Sequence, residues 1–207
     1  MPLRHACFIS YRHGQHSLMK RFVDDFCEAL ASELEALVEM RIYRDQLRLE
    51  GGDFYTQALA TGLCESVCLI MIFTPTYFSS EHSYCAREYA AMKLLEKERL
   101  PIGQQHGLII PVVLRGFDQL PEEIRSRRQA YNFDHFSLSD QRLVKNKNFK
   151  VEIRKMADYI AARCLELQDI SRECGDFEMP AESEVQNLLS RFRRRESPFP
   201  GRGTASA

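Results

Sequence analysis

The sequence predicts an α/β fold of the flavodoxin-like type, in which five parallel strands in the order 2-1-3-4-5 carry helices on both faces. Two observations support this prediction. Four or five short apolar runs alternate with longer amphipathic stretches, a pattern typical of βα units around a parallel sheet. The run Val67–Phe73 is apolar at every position, as expected of a central strand buried on both faces. In such sheets ligands bind outside the carboxyl ends of the strands, between strands 1 and 3.

The first two βα units precede that central strand. His5–Tyr11 predicts the first strand, and apolar residues at every third or fourth position predict a helix over Leu18–Leu37. Met40–Tyr43 is short and β-prone and predicts the second strand. A polar, glycine-containing loop follows it, and Asp53 is placed to cap a helix that runs to about Leu63.

The second half of the chain continues the alternation. We expect a helix from about His82 to Glu98 and a fourth strand over Leu108–Leu114. Pro111 removes a hydrogen-bond donor from that strand, which should therefore be interrupted, bulged or paired on one side there. Ala130–Phe133 is a weak candidate for the fifth strand. A closing helix is predicted from about Phe149 to a stop near Gly175.

We expect one domain over residues 1–175, because 207 residues have room for one domain and an appendage. Residues 176–207 are polar and contain proline and glycine, apart from one short amphipathic helix, and they predict a flexible tail or linker. We expect such a segment to attach a sensor domain or partner protein. The apolar positions of the helix are Val185, Leu188, Leu189 and Phe192.

The charge balance argues against nucleic acid and membranes as partners, because a formal net charge of −1 creates no field that favours polyanions. One basic cluster stands near the carboxyl end, and a solvated tail is favoured over lipid or nucleic-acid binding for it. No apolar run approaches the roughly 18 residues of a membrane span, so a cytoplasmic location is expected. The clustered residues are Arg191, Arg193, Arg194 and Arg195.

The seven cysteines are an odd number, lie mostly in apolar runs and form no C-x-x-C pair, so they are interpreted as reduced, buried thiols. His13 and His16 lie three positions apart in a predicted loop. A metal site needs three or four suitably spaced ligands, and no others are found, so neither a metal nor a cofactor is expected.

The chain lacks the residues that several activities common in this architecture require. A phosphoacceptor domain needs acidic residues after strand 1 and an aspartate after strand 3, but the chain has Ser10-Tyr11-Arg12 and Thr74-Pro75 there. The phosphate loop G-x-x-x-x-G-K-[ST] is absent, and a single Gly14 after strand 1 makes no dinucleotide fingerprint. ATP hydrolysis and Rossmann redox chemistry are therefore disfavoured.

One carboxylate stands out in the helix after strand 3. Glu88 lies three or four positions from apolar neighbours on both sides, so it shares the apolar face of the helix. Burying a carboxylate costs several kcal/mol unless it is paired. Glu88 is therefore either a structural partner of an arginine, such as Arg12 or Arg44, or a functional group at the ligand-binding edge of the sheet.

Three motifs resemble those of the TIR domain family and occur in the same order and spacing. The resemblance covers about residues 5–170. Phe8-Ile9-Ser10-Tyr11-Arg12 resembles the first conserved box. Arg44-Asp45 followed by Leu49-Glu50-Gly51-Gly52 resembles the second box, the BB loop. Tyr84-Cys85-Ala86-Arg87-Glu88 resembles the aromatic-Cys-x-x-Glu motif, with tyrosine where tryptophan is commonest.

The resemblance implies cleavage of NAD+, because TIR domains that retain this glutamate are typically NAD+ nucleosidases, and some bacterial ones make cyclic ADP-ribose isomers. It makes Glu88 the catalytic residue. Nicotinamide leaves as a neutral molecule, so no general acid is required, and a carboxylate stabilises the positive charge that develops on the ribose. NAD+ is then the substrate and not a cofactor.

The resemblance also implies a substrate pocket, in which Arg12 would face phosphate and Tyr84 would shape the nicotinamide end. Alternatives stay open for several of these residues. Tyr11 and Tyr84 are also compatible with core aromatics, Arg12 with a pair to Asp45 or Glu88, and Asp45 with a turn cap. The implied substrate-binding residues are Ser10, Tyr11, Arg12, Arg44, Asp45, Tyr84 and Cys85.

The BB loop of TIR domains commonly mediates assembly, and active enzymes complete their site between neighbouring subunits. The resemblance therefore implies a homo-oligomer or filament and a role in defence or cell-death signalling. Leu47 and Leu49 are unusual apolar residues in a polar loop, and either form a partner surface or fold back onto the sheet. The implied assembly residues are Leu47, Leu49, Glu50, Gly51 and Gly52.

A binding function competes with the enzymatic one, since a TIR adaptor signals by assembly alone. Adaptor TIR domains often lack the glutamate, so the presence of Glu88 favours an enzyme. In a third hypothesis the domain is an effector module, and the helix near Val185–Phe192 joins it to a sensor. That hypothesis is compatible with catalysis.

Overall fold

The computed structural model describes residues 3–13, 17–44, 53–81, 83–136, 142–170 and 173–194. Their five strands form one parallel sheet in the order β2-β1-β3-β4-β5, which confirms the predicted fold class. The strands are β1 (His5–Tyr11), β2 (Arg41–Arg44), β3 (Ser66–Phe73), β4 (Ile109–Val113) and β5 (Tyr131–Asn132).

Helices cover both faces of this sheet. The first helix packs against the fifth, whereas the second packs against the third. The helices are α1 (Ser17–Glu35), α2 (Asp53–Cys64), α3 (Tyr84–Arg99), α4 (Glu122–Arg125), α5 (Lys147–Glu166) and α6 (Glu182–Arg194).

Strand β3 is the centre of the sheet, as its sequence predicts, and all eight of its residues are buried. It pairs in register with β1, so that Ser10 lies beside Met71 and Tyr11 beside Ile72. The carboxyl ends of these two strands therefore lie side by side. Because the next strand on each side belongs to a different half of the chain, this is the point at which the direction of sheet winding changes.

Pro111 is accommodated by one-sided pairing, one of the three predicted possibilities. Strand β4 pairs with β3 through Pro111, which lies opposite Met71. Its pairing with β5 begins one residue later, at Val112. The missing N–H of the proline therefore does not interrupt the sheet.

The predicted end of the closing helix near Gly175 is wrong. Helix α5 ends at Glu166, and the backbone N–H of Leu167 closes its last turn on the carbonyl of Arg163. The residues near Gly175 are instead held beside α2, where the Gln57 side chain donates to the Gly175 carbonyl at 3.0 Å. Since α5 packs with α1 on the other face, a helix continuing to Gly175 would not reach this position.

Two cysteines overturn the prediction that all seven are reduced. Cys64 at the end of α2 forms a disulfide with Cys174, with 5.7 Å between the Cα atoms. The remaining five are free thiols: Cys7, Cys68, Cys85 and Cys164 are buried and Cys27 is half-buried. Because disulfides are uncommon in reducing compartments, the cysteines no longer support a cytoplasmic location, which stays a prediction. Within the described ranges, no helix has the length and apolar character needed to cross a bilayer.

Helix α6 packs against α3, and its four apolar residues are buried. The Phe192 ring lies 4.7 Å from that of Phe78, measured between centroids. Glu182 forms an ion pair with Arg87 at the amino end of this contact, and Arg191 pairs with Glu123 towards its carboxyl end. The amphipathic helix is therefore confirmed as an element, while the boundary at residue 175 stays a prediction.

Candidate functional site

Three segments meet at the carboxyl ends of β1 and β3. The first is the end of β1 with Arg12, and the second is the turn after β3, in which the Tyr77 N–H donates to the Thr74 carbonyl at 2.8 Å. The third is the start of α3, which carries Glu88. The sequence predicts a ligand site at this edge, and ligand binding there stays a prediction.

Glu88 lies on the buried face of α3, as its helical spacing predicts, and is 8% exposed. The Ser10 hydroxyl donates to its Oε2 atom at 2.5 Å. Such a bond offsets part of the cost of desolvating the carboxylate. The end of β1 and the second turn of α3 are thereby joined through two buried polar side chains.

Tyr77 belongs to the same cluster, although nothing in the sequence analysis singled it out. Its side chain is fully buried, and its hydroxyl lies 2.5 Å from the Ser10 Oγ atom. The sequence does point to the segment after Phe73 as part of the site. Only the turn geometry shows that the residue four positions past that strand faces Ser10.

Cys85 completes the buried cluster, one helical turn before Glu88. Burial raises the pKa of its thiol well above the ordinary value, and the charge of Glu88 raises it further. Hydrogen bonding to Ser10 and the charge of Arg12 act in the opposite direction but do not prevail. Cys85 is therefore a neutral thiol and not the thiolate that nucleophilic catalysis needs.

Each of the two arginines proposed as structural partners of Glu88 has a contact elsewhere. Arg12 is half-buried, and its Nη1 atom lies 3.4 Å from the Thr76 carbonyl, a long hydrogen bond. Arg44 forms an ion pair with Asp24 on α1 at 2.6 Å, and its guanidinium lies 5.9 Å from the centre of the Tyr11 ring. Arg44 is thus held beside Tyr11 on the β2 side of the site.

The two tyrosines with open alternatives differ in their surroundings. Tyr11 is buried at the end of β1 and stacks on His13, with 4.3 Å between the ring centroids. Tyr84 is 61% exposed at the first residue of α3, so the interpretation of Tyr84 as a core aromatic is wrong. Its ring is available at the surface, one turn from Glu88.

Six predicted residues lie outside the described part of the chain. Their roles in substrate binding and assembly stay predictions, as does the choice between a partner surface and packing onto the sheet. They are Asp45, Leu47, Leu49, Glu50, Gly51 and Gly52. His16 also lies outside it, and in the described segments no group of three or more histidine, cysteine or acidic residues is placed to bind a metal.

A concave region lies at the opposite edge of the sheet, at the amino ends of β4 and β5. This cleft of about 110 Å³ is lined by neutral and basic side chains, among them His106, Arg127 and Tyr159. Among the described residues no carboxylate lines this cleft, and Arg128, which does line it, is paired with Glu96 at 2.6 Å.

The model of the TIR domain family matches residues 7–145, a segment that contains Ser10, Tyr77, Cys85 and Glu88. This chain belongs to the TIR domain family. Solved structures also match it, among them the TIR domains in "Structure of the activated Roq1 resistosome directly recognizing the pathogen effector XopQ". That similarity has 21% identity over 89% of this chain and 97% of the other, with a TM-score of 0.38. No curated protein matches.

The site residues of this TIR domain come from three separate segments of the chain. Ser10 comes from the end of β1, Tyr77 from the turn after β3, and Cys85 and Glu88 from the start of α3. The polar cluster of this TIR domain is thus assembled from segments up to 78 residues apart, as the Ser10–Glu88 bond shows.

Proposed function

We propose that this TIR domain is an NAD+ nucleosidase that cleaves the nicotinamide–ribose bond, with Glu88 as its catalytic residue. The observation that supports this proposal is the position of Glu88, a carboxylate held by Ser10 at the carboxyl ends of β1 and β3. A carboxylate is seldom kept at such a buried position without a structural pairing or a chemical purpose. A carboxylate at this position would stabilise positive charge on a bound substrate.

The proposed reaction begins when the bond between ribose C1′ and the pyridinium nitrogen breaks. Both bonding electrons go to nitrogen, so nicotinamide leaves neutral and needs no acid. The positive charge that develops on the ribose is stabilised by the Glu88 carboxylate, which also accepts hydrogen bonds from ribose hydroxyls. Water attacks C1′ and loses a proton to give ADP-ribose, or a second group of the same molecule attacks to give a cyclic isomer.

The half-buried Arg12 is the proposed partner of the substrate phosphates, because a guanidinium offers several donors to phosphate oxygens. Tyr84 is exposed, and its ring suits contact with the flat nicotinamide group. Ser10, Tyr11, Arg44 and Cys85 would line the remainder of the site together with Asp45. NAD+ is the only small molecule that the proposal requires, and it is consumed as the substrate.

We further propose that activity depends on self-assembly through the segment that contains Leu47 and Leu49, with a homo-oligomer or filament as the active form. The carboxyl-terminal region would attach a sensor domain or partner protein that triggers this assembly. The expected setting is cytoplasmic defence or cell-death signalling, including antiviral defence. Nucleic acid and membranes are not expected to bind directly, given the net charge of −1.

The test is nicotinamide release from NAD+ at high protein concentration, comparing the wild type with Glu88→Gln. The isosteric amide removes the negative charge, so we expect release to fall at least about 100-fold, as for loss of one electrostatic stabiliser. Glu98→Gln is the matched control, because Glu98 is an exposed carboxylate on the same helix. Equal activity of wild type and Glu88→Gln would refute the catalytic role.

The second candidate is a TIR adaptor that signals through TIR–TIR contacts without chemistry. It is favoured by the fact that Glu88 is nearly inaccessible and already accepts a hydrogen bond from Ser10, as a structural residue would. A wild-type protein that assembles but releases no nicotinamide, even when clustered on beads, would support this candidate over the enzyme.

A further inference from the structure

Tyr77 is the one member of the buried cluster to which the proposed reaction gives no task. Its hydroxyl and the Ser10 Oγ atom are 2.5 Å apart, and the same Oγ atom donates to Glu88 at 2.5 Å. The Tyr77 ring is held from its sides, at 6.3 Å from Phe73 and 4.8 Å from Phe78 between centroids. This packing fixes the orientation of the ring and so holds the hydroxyl next to Ser10.

The number of protons fixes the direction of this chain of hydrogen bonds. An ionised carboxylate only accepts, so the single Ser10 proton goes to Glu88. The Ser10 oxygen then has only lone pairs to offer Tyr77, and the Tyr77 hydroxyl must be the donor. Burial raises the pKa of the Tyr77 phenol well above its ordinary value, and the charge of Glu88 raises it further, so the phenol keeps this proton.

We propose that Tyr77 is a positioning residue, which acts through Ser10 to hold the Glu88 carboxylate in its reactive orientation. This inference rests on the proposed nucleosidase function. Ser10 has a short side chain with three staggered rotamers, and the one in the structure places its Oγ atom 2.5 Å from both the Tyr77 hydroxyl and Glu88 Oε2. By donating to the Ser10 oxygen, Tyr77 favours that rotamer, and it does so without contacting substrate.

A kinetic comparison separates positioning from substrate binding. Tyr77→Phe keeps the buried ring and removes only the donor, so we expect kcat to fall about tenfold with KM within about twofold of the wild type. Tyr89→Phe is the matched control, because it removes an equally buried hydroxyl that bonds to Arg128 and not to Ser10. An unchanged kcat in Tyr77→Phe, or an equal fall in Tyr89→Phe, would overturn the proposal.

A double-mutant cycle in stability tests the hydrogen-bond chain without relying on activity. Ser10→Ala leaves the buried Tyr77 hydroxyl without its acceptor, which is costlier than removing both partners. We therefore expect Tyr77→Phe to raise the unfolding constant about three- to tenfold in the wild type but to lower it in the Ser10→Ala background. Similar increases in both backgrounds would show that Tyr77 does not act through Ser10.

The two experiments distinguish the failure of this inference from that of the proposed function. A wild-type protein without NAD+ cleavage would overturn the proposed function and the catalytic part of this inference together. Active wild type with unaltered kcat in Tyr77→Phe would overturn the positioning role alone. Reduced kcat in Tyr77→Phe, with the sign reversal in the stability cycle, would support both.

Discussion

Reducing the Cys64–Cys174 disulfide should lower the free energy of unfolding by an amount that follows from its place in the chain. The two residues are 110 positions apart, so the bond closes a large loop in the unfolded protein. The chain-entropy relation gives about 4.8 kcal/mol at 25 °C for a loop of this length, and measured contributions are typically about 2–4 kcal/mol. For a domain of this size, about 3 kcal/mol corresponds to a fall in Tm of roughly 6–12 °C.

The assay is urea or thermal unfolding of the oxidised protein with and without dithiothreitol, together with a thiol count in denaturant. Five of the seven cysteines are free, so five thiols should react before reduction and seven after it. The double variant Cys64→Ser/Cys174→Ser is the control, because its stability should not respond to the reductant. Unchanged unfolding of the wild type after seven thiols have been counted would refute the reasoning.

Two further predictions concern residues remote from Glu88. Burial acts to raise the pKa of Glu96, but hydrogen bonds and the charge of Arg128 outweigh it and lower the pKa below its ordinary value. This stabilisation is present above the unfolded-state pKa and is lost as pH falls through the folded-state pKa. The free energy of unfolding measured in urea should therefore fall as the pH drops below roughly 4.3, the ordinary pKa of a glutamate. Glu96→Gln should cost about 3 kcal/mol at pH 7 and show a smaller acid loss, whereas the exposed Glu98→Gln should leave both unaltered. Phe192→Ala should expose the amide protons of α6 to hydrogen exchange at least tenfold faster, because it removes a buried ring; Leu165→Ala, at a 63% exposed position, should not.

The sheet order and the position of Glu88 could be predicted because both depend on periodic patterns. Strand β3 is apolar at every residue since both faces are buried, and this identifies the centre of the sheet. Glu88 interrupts a helical apolar stripe, so its burial could be inferred without any contact being known. Such patterns are local, so they can be recognised in the sequence without knowledge of the tertiary structure.

The features that escaped prediction depend on contacts between distant segments or on turns. Tyr77 lies in a turn that has no periodicity, and only the pairing of β1 with β3 brings it to Ser10. The partner of Cys64 is not readable from the spacing of seven cysteines. Tyr84 has the helical spacing of a buried residue relative to Glu88, but it opens the helix and therefore lies at the edge of the packed surface.

The disulfide also determines how a pull on the carboxyl end would pass through the molecule. Cys174 is bonded to the end of α2, so tension from an attached domain bypasses α5 and enters the body at Cys64. Under such tension, residues after Cys174 could extend without breaking the disulfide. The twenty residues from Gly175 to Arg194 would span about 70 Å when fully extended. Helix α6 would lose its contact with Phe78 first. In the oxidised protein, tension would therefore unfold this segment while the rest of the domain stays folded.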